Sequence, residues 1–154
     1  MILKNTLLLF TAVFVSISIN AQTPPLDYID VSTFGDGEGE YDEATALVTD
    51  VTGNVYVLGI LEGAVDFDPS EEREIRSSAN ENLYLAKYSP INELVWVHVL
   101  TSPSNSNAID IDLDANGDLV ICANYVNEIF PNPNGNESFA SATFNNADIF
   151  LGKY

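Results

Sequence analysis

Apolar residues occur along most of the chain in short runs of six to eight residues, and polar turns separate the runs. The runs are rich in β-branched and aromatic residues and lack the 3.6-residue period of an amphipathic helix. They predict strands over residues 44–49, 54–61, 82–88 and 94–100, and a looser alternation predicts an earlier strand over 26–34. The pattern therefore indicates an all-β fold.

Polar turns join these predicted strands into antiparallel neighbours. The order Asp-x-x-Gly-Asn that begins at Asp50 predicts a hairpin, because Gly53 or Asn54 can adopt positive φ and the Asp50 side chain can bond the turn backbone. Gly63 is predicted to end the second strand, and residues 66–76 are predicted to form a loop, since the segment holds a proline and no apolar period.

The third and fourth predicted strands are apolar on both faces. We expect Leu83 and Leu85 opposite Tyr84, Ala86 and Tyr88 in the third strand, and Val95, Val97 and Val99 opposite Leu94, Trp96 and Leu100 in the fourth. A sheet with one side in water would alternate apolar with polar residues, so these strands predict cover on both sides. Four such antiparallel strands between similar sheets describe a blade of a β-propeller.

The unit then restarts 64 residues further along the chain. Residues 108–113 match 44–49, and the turn that begins at Asp114 matches the turn that begins at Asp50. The offset is 66 by the time Lys153 matches Lys87, which indicates a two-residue insertion in the loop between. A period of this size is typical of propellers and solenoids.

The repeated motifs carry a family resemblance. The series Asp-x-x-Gly-Asn-x-Tyr-x-x-Gly at 50–59, Asp-Phe-Asp-Pro at 66–69, Leu-x-Leu-Ala-Lys-Tyr at 83–88 and Val-Trp at 95–96 resembles the bacterial seven-bladed β-propeller repeat, abbreviated SBBP. The second copy departs from it, with Asn124 in place of Ile60, Pro131 in place of Phe67 and Asn132 in place of Asp68.

The resemblance implies four-stranded antiparallel propeller blades in a large bacterial secreted or surface protein, a kind that usually has no defined activity. It implies one complete blade over 44–107 and a partial second blade over 108–154, preceded by a linker and leading strand over 22–43. Because it also implies more blades than this chain holds, the chain is expected to be a fragment, an incomplete propeller.

Residues 1–21 have the pattern of a secretory signal peptide, with Lys4 before an apolar run over 6–19 and a cleavage site near Ala21. A spanning helix needs about 20 apolar residues, and this run has fourteen. A single-pass anchor is therefore the less favoured alternative. We expect a secreted or cell-surface protein with no transmembrane segment in the mature chain.

The charge and the cysteine content narrow the classes of partner. The chain has 23 Asp and Glu against five Lys and Arg, for a net charge of −18. A surface this acidic repels phosphate backbones, which excludes a nucleic-acid partner. Cys122 is the only cysteine, so no intramolecular disulfide forms, and its apolar neighbours predict a small buried side chain rather than a nucleophile.

Asp112, Asp114, Asn116 and Asp118 form the sharpest candidate site. Their oxygen ligands at alternate positions, with a glycine for the bend, match the opening half of a calcium loop. An EF-hand would place glutamate at the twelfth position, where Ala123 stands, and the flanks predict strands instead of helices. A hairpin turn with an acidic rim is the favoured interpretation, a calcium site is the alternative, and no other cofactor is expected.

No residue is assigned a catalytic role. Asp66 and Asp68 could form an acid and base pair in a hydrolase, but Phe130 and Asn132 stand at these positions in the second copy. His98 is the only histidine, which leaves neither a zinc cluster nor a histidine relay.

The expected function is a non-enzymatic binding or scaffold module that recognises a protein or glycan ligand through loops such as 70–80 and 133–146. Two alternatives stay open: a secreted glycan hydrolase with a site assembled across blades, and a calcium-stabilised adhesion repeat. Open blade edges also predict self-association.

Overall fold

The computed structural model describes residues 33, 41–132, 140–141 and 146–154, with the side chains of residues 140 and 141 left out. All of them belong to the compact unit Val31–Tyr154. The predicted signal peptide and, apart from Thr33, the predicted strand over 26–34 lie outside the described residues.

The described residues contain strands and no helix, as the alternation predicts. The strands are β1 (Glu43–Thr49), β2 (Val55–Asp66), β3 (Ile75–Tyr88), β4 (Leu94–Leu100), β5 (Asn107–Leu113), β6 (Leu119–Val126), β7 (Glu128–Ile129), β8 (Ala140–Ser141) and β9 (Ala147–Lys153). In this part of the chain there is accordingly no helix with the length and apolar character needed to cross a membrane.

The first sheet has four antiparallel strands in the order β1-β2-β3-β4. The predicted end of the second strand at Gly63 is wrong, because β2 continues to Asp66 and β3 begins at Ile75. Gly63 has a φ of 79°, and the register of β2 against β3 shifts between Leu61 and Gly63. A bulge at a glycine thus absorbs the irregularity that the sequence suggested would end the strand.

The second sheet has three antiparallel strands in the order β5-β6-β9, and β7 and β8 form a short separate pair. It repeats the first three strands of the first sheet. A register shift follows Ala44 where β1 pairs with β2, and the corresponding shift follows Ala108 where β5 pairs with β6. β9 pairs with β6 as β3 pairs with β2. The sequence repeat is therefore a repeat of topology and register.

The two sheets pack face to face around a common core. Leu58 and Leu85 of the first sheet belong to the same buried cluster as Ile121 and Phe150 of the second. A second cluster lies on the opposite face of the first sheet and includes Tyr84. Both faces of the first sheet are thus buried, as the apolar pattern of its strands predicts.

The two sheets pack head to tail, because each repeat uses a different face for the contact. Phe150 of the second sheet faces the core between the sheets, whereas its counterpart Tyr84 in the first sheet faces away from that core. The faces that meet between the sheets are therefore the two different faces of one repeating unit. The contact between the sheets is therefore heterologous.

One predicted face assignment is wrong. Leu94 was expected beside Trp96 but packs with the cluster on the opposite face. The register shifts at this point, since Lys87 pairs with Trp96 whereas Tyr88 pairs with Leu94. Val95 is left out of the pairing with β3, and 51% of its surface is exposed.

Candidate functional site

The two aspartate turns have the same backbone geometry. The amide of Gly53 donates to the carbonyl of Asp50, and the amide of Gly117 donates to the carbonyl of Asp114, at 3.0 and 2.9 Å. Both glycines have positive φ, 87° and 85°. The local order Asp-x-x-Gly therefore fixes the turn in both copies, because only glycine adopts this φ without strain.

The turn aspartates are held by hydrogen bonds to their own turns. Oδ1 of Asp50 accepts the amides of Thr52 and Asn54, and its Oδ2 accepts the Asn54 side-chain amide at 2.7 Å. Hydrogen bonds from the Asn54 and Thr52 side chains hold the pKa of Asp50 well below its usual range. Oδ1 of Asp114 likewise accepts the amides of Asn116 and Asp118.

A lysine distinguishes the second turn from the first. Asp118 stands where the first copy has Asn54, so a second carboxylate replaces an amide donor. Nζ of Lys153 lies 2.6 Å from Asp114 Oδ2 and 3.0 Å from Asp118 Oδ2. This ammonium is the main cause that lowers the pKa of Asp114 to about 2.

Of the four residues predicted as calcium ligands, the structure brings Asp114 and Asp118 together around Lys153. Asp112 lies in β5 and accepts the Leu113 amide at 2.8 Å, and Asn116 contributes a backbone amide to the turn. Among the described residues, no three acidic, histidine or cysteine side chains lie close enough to hold a metal. Calcium binding by these residues stays a prediction.

Asp66 and Asp68, the hypothetical hydrolase pair, stabilise a loop. Asp66 accepts the Glu74 amide at 3.0 Å and Arg73 Nε at 3.1 Å, and Asp68 accepts the Ser70 amide at 2.8 Å. The Glu74 amide, with Arg73 beside it, lowers the pKa of Asp66. An aspartate held in its ionised form is a poor general acid at neutral pH.

Three ring side chains form an aromatic row across the first sheet: Tyr56 of β2 with Trp96 and His98 of β4. The Trp96 ring lies 6.0 Å from the Tyr56 ring and 5.1 Å from the His98 ring, and Lys87 Nζ lies 4.9 Å from the Tyr56 centroid. Burial, with a smaller contribution from Arg76, lowers the pKa of His98 and keeps the imidazole neutral at pH 7. His98 thus packs its ring against Trp96.

A cleft of about 750 Å³ opens between this row and β9. The first sheet contributes Tyr56, Leu85, Trp96 and His98, and the second contributes consecutive residues 150–154. The same wall includes Leu119 of β6, whose backbone pairs with Tyr154, so this wall is the end of the second sheet where β6 and β9 meet. The sequence pattern did not predict this cleft. One signal was present, because Lys87 and its repeat counterpart Lys153 both line the cleft.

The outer face of the second sheet carries Val120, Cys122, Ile149 and Leu151, together with Asp110 and Asp112, which pair with Cys122 and Val120. Ile149 and Leu151 are 75% and 68% exposed. Cys122 is half-buried with a free thiol, which corrects the expectation of a buried cysteine. The alternation of β6 turns Ile121 into the core and Cys122 to this outer side.

The structure describes only part of the two loops, 70–80 and 133–146, that are expected to carry recognition. Residues 75–80 of the first loop belong to β3, and residues 75–78 pair with β2, so that loop is shorter than predicted. Most of the second loop, 133–146, lies outside the described residues.

Comparison of the chain with protein-family models, with curated proteins and with solved structures finds no match.

Proposed function

We propose that this chain is a non-enzymatic binding and scaffold module of a secreted or cell-surface protein, built from propeller-like repeats. Its binding surface is the outer face of the second sheet. The proposal is supported by the repetition of strand order, register and turn between the two sheets, and by their head-to-tail packing.

One observation carries the proposal. Ile149 and Leu151 are the repeat counterparts of Leu83 and Leu85, which are 0% and 2% exposed because the second sheet covers them. On the second sheet the same pattern is 75% and 68% exposed. Covering one such side chain contributes about 1.5–3 kcal/mol. Ile149 and Leu151 thus expose apolar side chains on a face that also carries Asp110 and Asp112, which pair with Cys122 and Val120, and exposed apolar residues rimmed by polar ones are typical of a protein-binding surface.

The test is self-association of the purified chain, measured by sedimentation velocity over a range of concentrations. We expect assembly that rises with concentration and, in parallel, a slower reaction of the Cys122 thiol, because Cys122 lies on the proposed interface. Ile149→Lys should abolish both effects. Ile91→Lys is the matched control, since Ile91 is 74% exposed on the turn between β3 and β4.

A chain that stays monomeric throughout, with a Cys122 reaction rate independent of concentration, would contradict the proposal. So would equal effects of the two lysine substitutions, because they would show that association does not use this face.

A further inference from the structure

A second cavity, of about 460 Å³, lies between the two sheets near the starts of β1 and β5. Ile60 and Tyr125, which belong to the core shared by the sheets, line it from the two sides. Glu43 and Glu81 of the first sheet also line it, and so does Ser106 in the loop before β5. The amide of Ser106 donates to the carbonyl of Glu81 at 2.7 Å, so this loop is fixed against β3.

Two carboxylates meet on one side of this cavity. Glu43 pairs with Ile60, and residues paired across antiparallel strands lie on the same face, so the Glu43 side chain is on the face toward the second sheet. Its Oε2 accepts the hydroxyl of Tyr41, which also lines the cavity. This hydrogen bond raises the pKa of Tyr41, and the charge of Glu81 adds to the rise. Glu81 therefore lies near the same phenol.

The two negative charges are not balanced within the cavity. The described residues that line it include no Lys, Arg or His, and the ion pairs in the described part of the chain involve neither Glu43 nor Glu81. In the second copy the equivalent positions are occupied by Asn107 and Ala147. The repeat thus does not require acidic residues here, and a bound cation would relieve the repulsion between them.

The Ser106 hydroxyl is a second and independent indication of a ligand. Ser106 is 3% exposed, and within the described part of the chain its Oγ has no hydrogen-bond partner. Buried hydroxyl groups in folded proteins are nearly always paired, with protein, water or a ligand. A group that binds in this cavity and donates hydrogen bonds would supply the partner that Ser106 lacks.

The chemistry of the lining favours an organic cation. Among the described residues, no three acidic, histidine or cysteine side chains lie close enough to hold a metal, and calcium takes six to eight oxygen ligands. A guanidinium has five N–H donors in one plane, so it can reach several acceptors at once, and it stacks on aromatic rings. Tyr41 and Tyr125 provide such rings on the lining.

We propose that this cavity binds a guanidinium group, carried by an arginine side chain or by a small alkylguanidine, with Glu43 and Glu81 as its anionic partners and the Ser106 hydroxyl as a further acceptor. The net charge of −18 favours the approach of a cation from solution. The site lies between the sheets, so it is distinct from the outer face and does not depend on self-association.

The test is an NMR titration of the ¹⁵N-labelled full chain, at a concentration at which it is monomeric. The probes are the capped tripeptide Gly-Arg-Gly, the same peptide with neutral citrulline in place of arginine, and propylguanidine. We expect saturable shifts of the Glu81, Ser106 and Asn107 amides with the arginine peptide, and binding about tenfold weaker with the citrulline peptide. Equal affinities of propylguanidine and the arginine peptide would identify a free small molecule as the ligand, and tighter peptide binding would identify a protein segment.

Three substitutions assign the partners. Glu43→Gln and Glu81→Gln should each weaken binding of the arginine peptide about threefold or more, as loss of a partly exposed charge partner does. Glu93→Gln is the matched control, because it removes the same charge from an exposed turn residue that does not line the cavity. It should leave binding nearly unchanged in about 0.15 M salt.

Ser106→Ala separates a binding role from a structural one. It should weaken binding about twofold or more without lowering the midpoint of urea unfolding, because it removes a buried hydroxyl that has no described partner. A lower midpoint with unchanged binding would show that the hydroxyl serves the fold instead. The comparison of the arginine and citrulline peptides uses the unaltered chain, so it decides the question even if a substituted chain does not fold.

Four outcomes would overturn the proposal: no saturable shift up to the solubility limit of the probes, equal binding of the arginine and citrulline peptides, equal losses for Glu43→Gln and Glu93→Gln, or shifts of the same amides by calcium chloride alone. The last result would assign the cavity to a metal ion. None of these outcomes bears on the outer face, and a chain that never self-associates would leave the present inference intact.

Discussion

Tyr88 and Tyr154 occupy the same position in the two copies and make the same hydrogen bond in different surroundings. The hydroxyl of Tyr88 donates to the carbonyl of Phe67 at 3.0 Å, and the hydroxyl of Tyr154 donates to the carbonyl of Pro131 at 2.9 Å. Tyr88 is 4% exposed and Phe67 is 2% exposed, whereas Tyr154 is 38% exposed. The pair therefore separates the value of a hydrogen bond from the cost of leaving a buried group unpaired.

Tyr88→Phe should be the more destabilising substitution. It removes the hydroxyl that donates to the Phe67 carbonyl and leaves that carbonyl buried, which costs about 1–3 kcal/mol. Tyr154→Phe should cost about 0.5 kcal/mol, because water can reach the Pro131 carbonyl. For a unit of this size, each kcal/mol corresponds to about 4 °C or more in melting temperature.

The assay is urea unfolding at pH 7, followed by the fluorescence of Trp96. Burial raises the pKa of Tyr88 and raises that of Tyr154 to about 12, so both hydroxyls are protonated under these conditions. The slopes of the two transitions should match, which attributes the change in midpoint to stability. Equal midpoints, or a larger loss for Tyr154→Phe, would refute the reasoning from burial.

Two further predictions follow from the strands and turns. In Gly59→Ala the new Cβ would lie 2.0 Å from the backbone oxygen of Glu43, so we expect a loss of about 1–3 kcal/mol in urea unfolding from overpacking; unchanged stability would show that the strands separate freely at this point. Since the folded pKa of Asp114 is lowered from 3.8 to about 2, the stability it contributes is present above pH 4 and is lost as the pH falls toward 2. Lys153→Gln should raise this pKa toward 3.8 in a carboxyl NMR titration, and an unchanged value would assign the shift to the turn amides alone.

Local patterns predicted the strands and turns because short-range chemistry decides them. Residues 94–100 form β4 with the predicted bounds, since β-branched alternation and a polar turn define both ends. The turns at Asp50 and Asp114 adopt the predicted conformation because Gly53 and Gly117 accept positive φ. The acidic rim of the second turn was also visible in the sequence, although its ion pair with Lys153 was not.

Features that depend on pairing between distant strands could not be predicted from the sequence. The face on which Leu94 lies depends on a register shift against β3. The half-exposure of Cys122 depends on which side of β6 is covered, and its apolar neighbours give the same pattern in either case. The cleft has no signature within one segment, because one wall comes from β2, β3 and β4 and the other includes residues 150–154.

Equivalent positions of the two copies differ in exposure. Leu83 and Ile149 occupy equivalent apolar positions, but the first is 0% exposed and the second is 75% exposed. Equivalent apolar positions have the same preference for burial. Covering the exposed side chain would therefore contribute favourable free energy. Replacing Ile149 should therefore change the association of the chain far more than replacing an exposed apolar residue, such as Ile91, that has no covered counterpart.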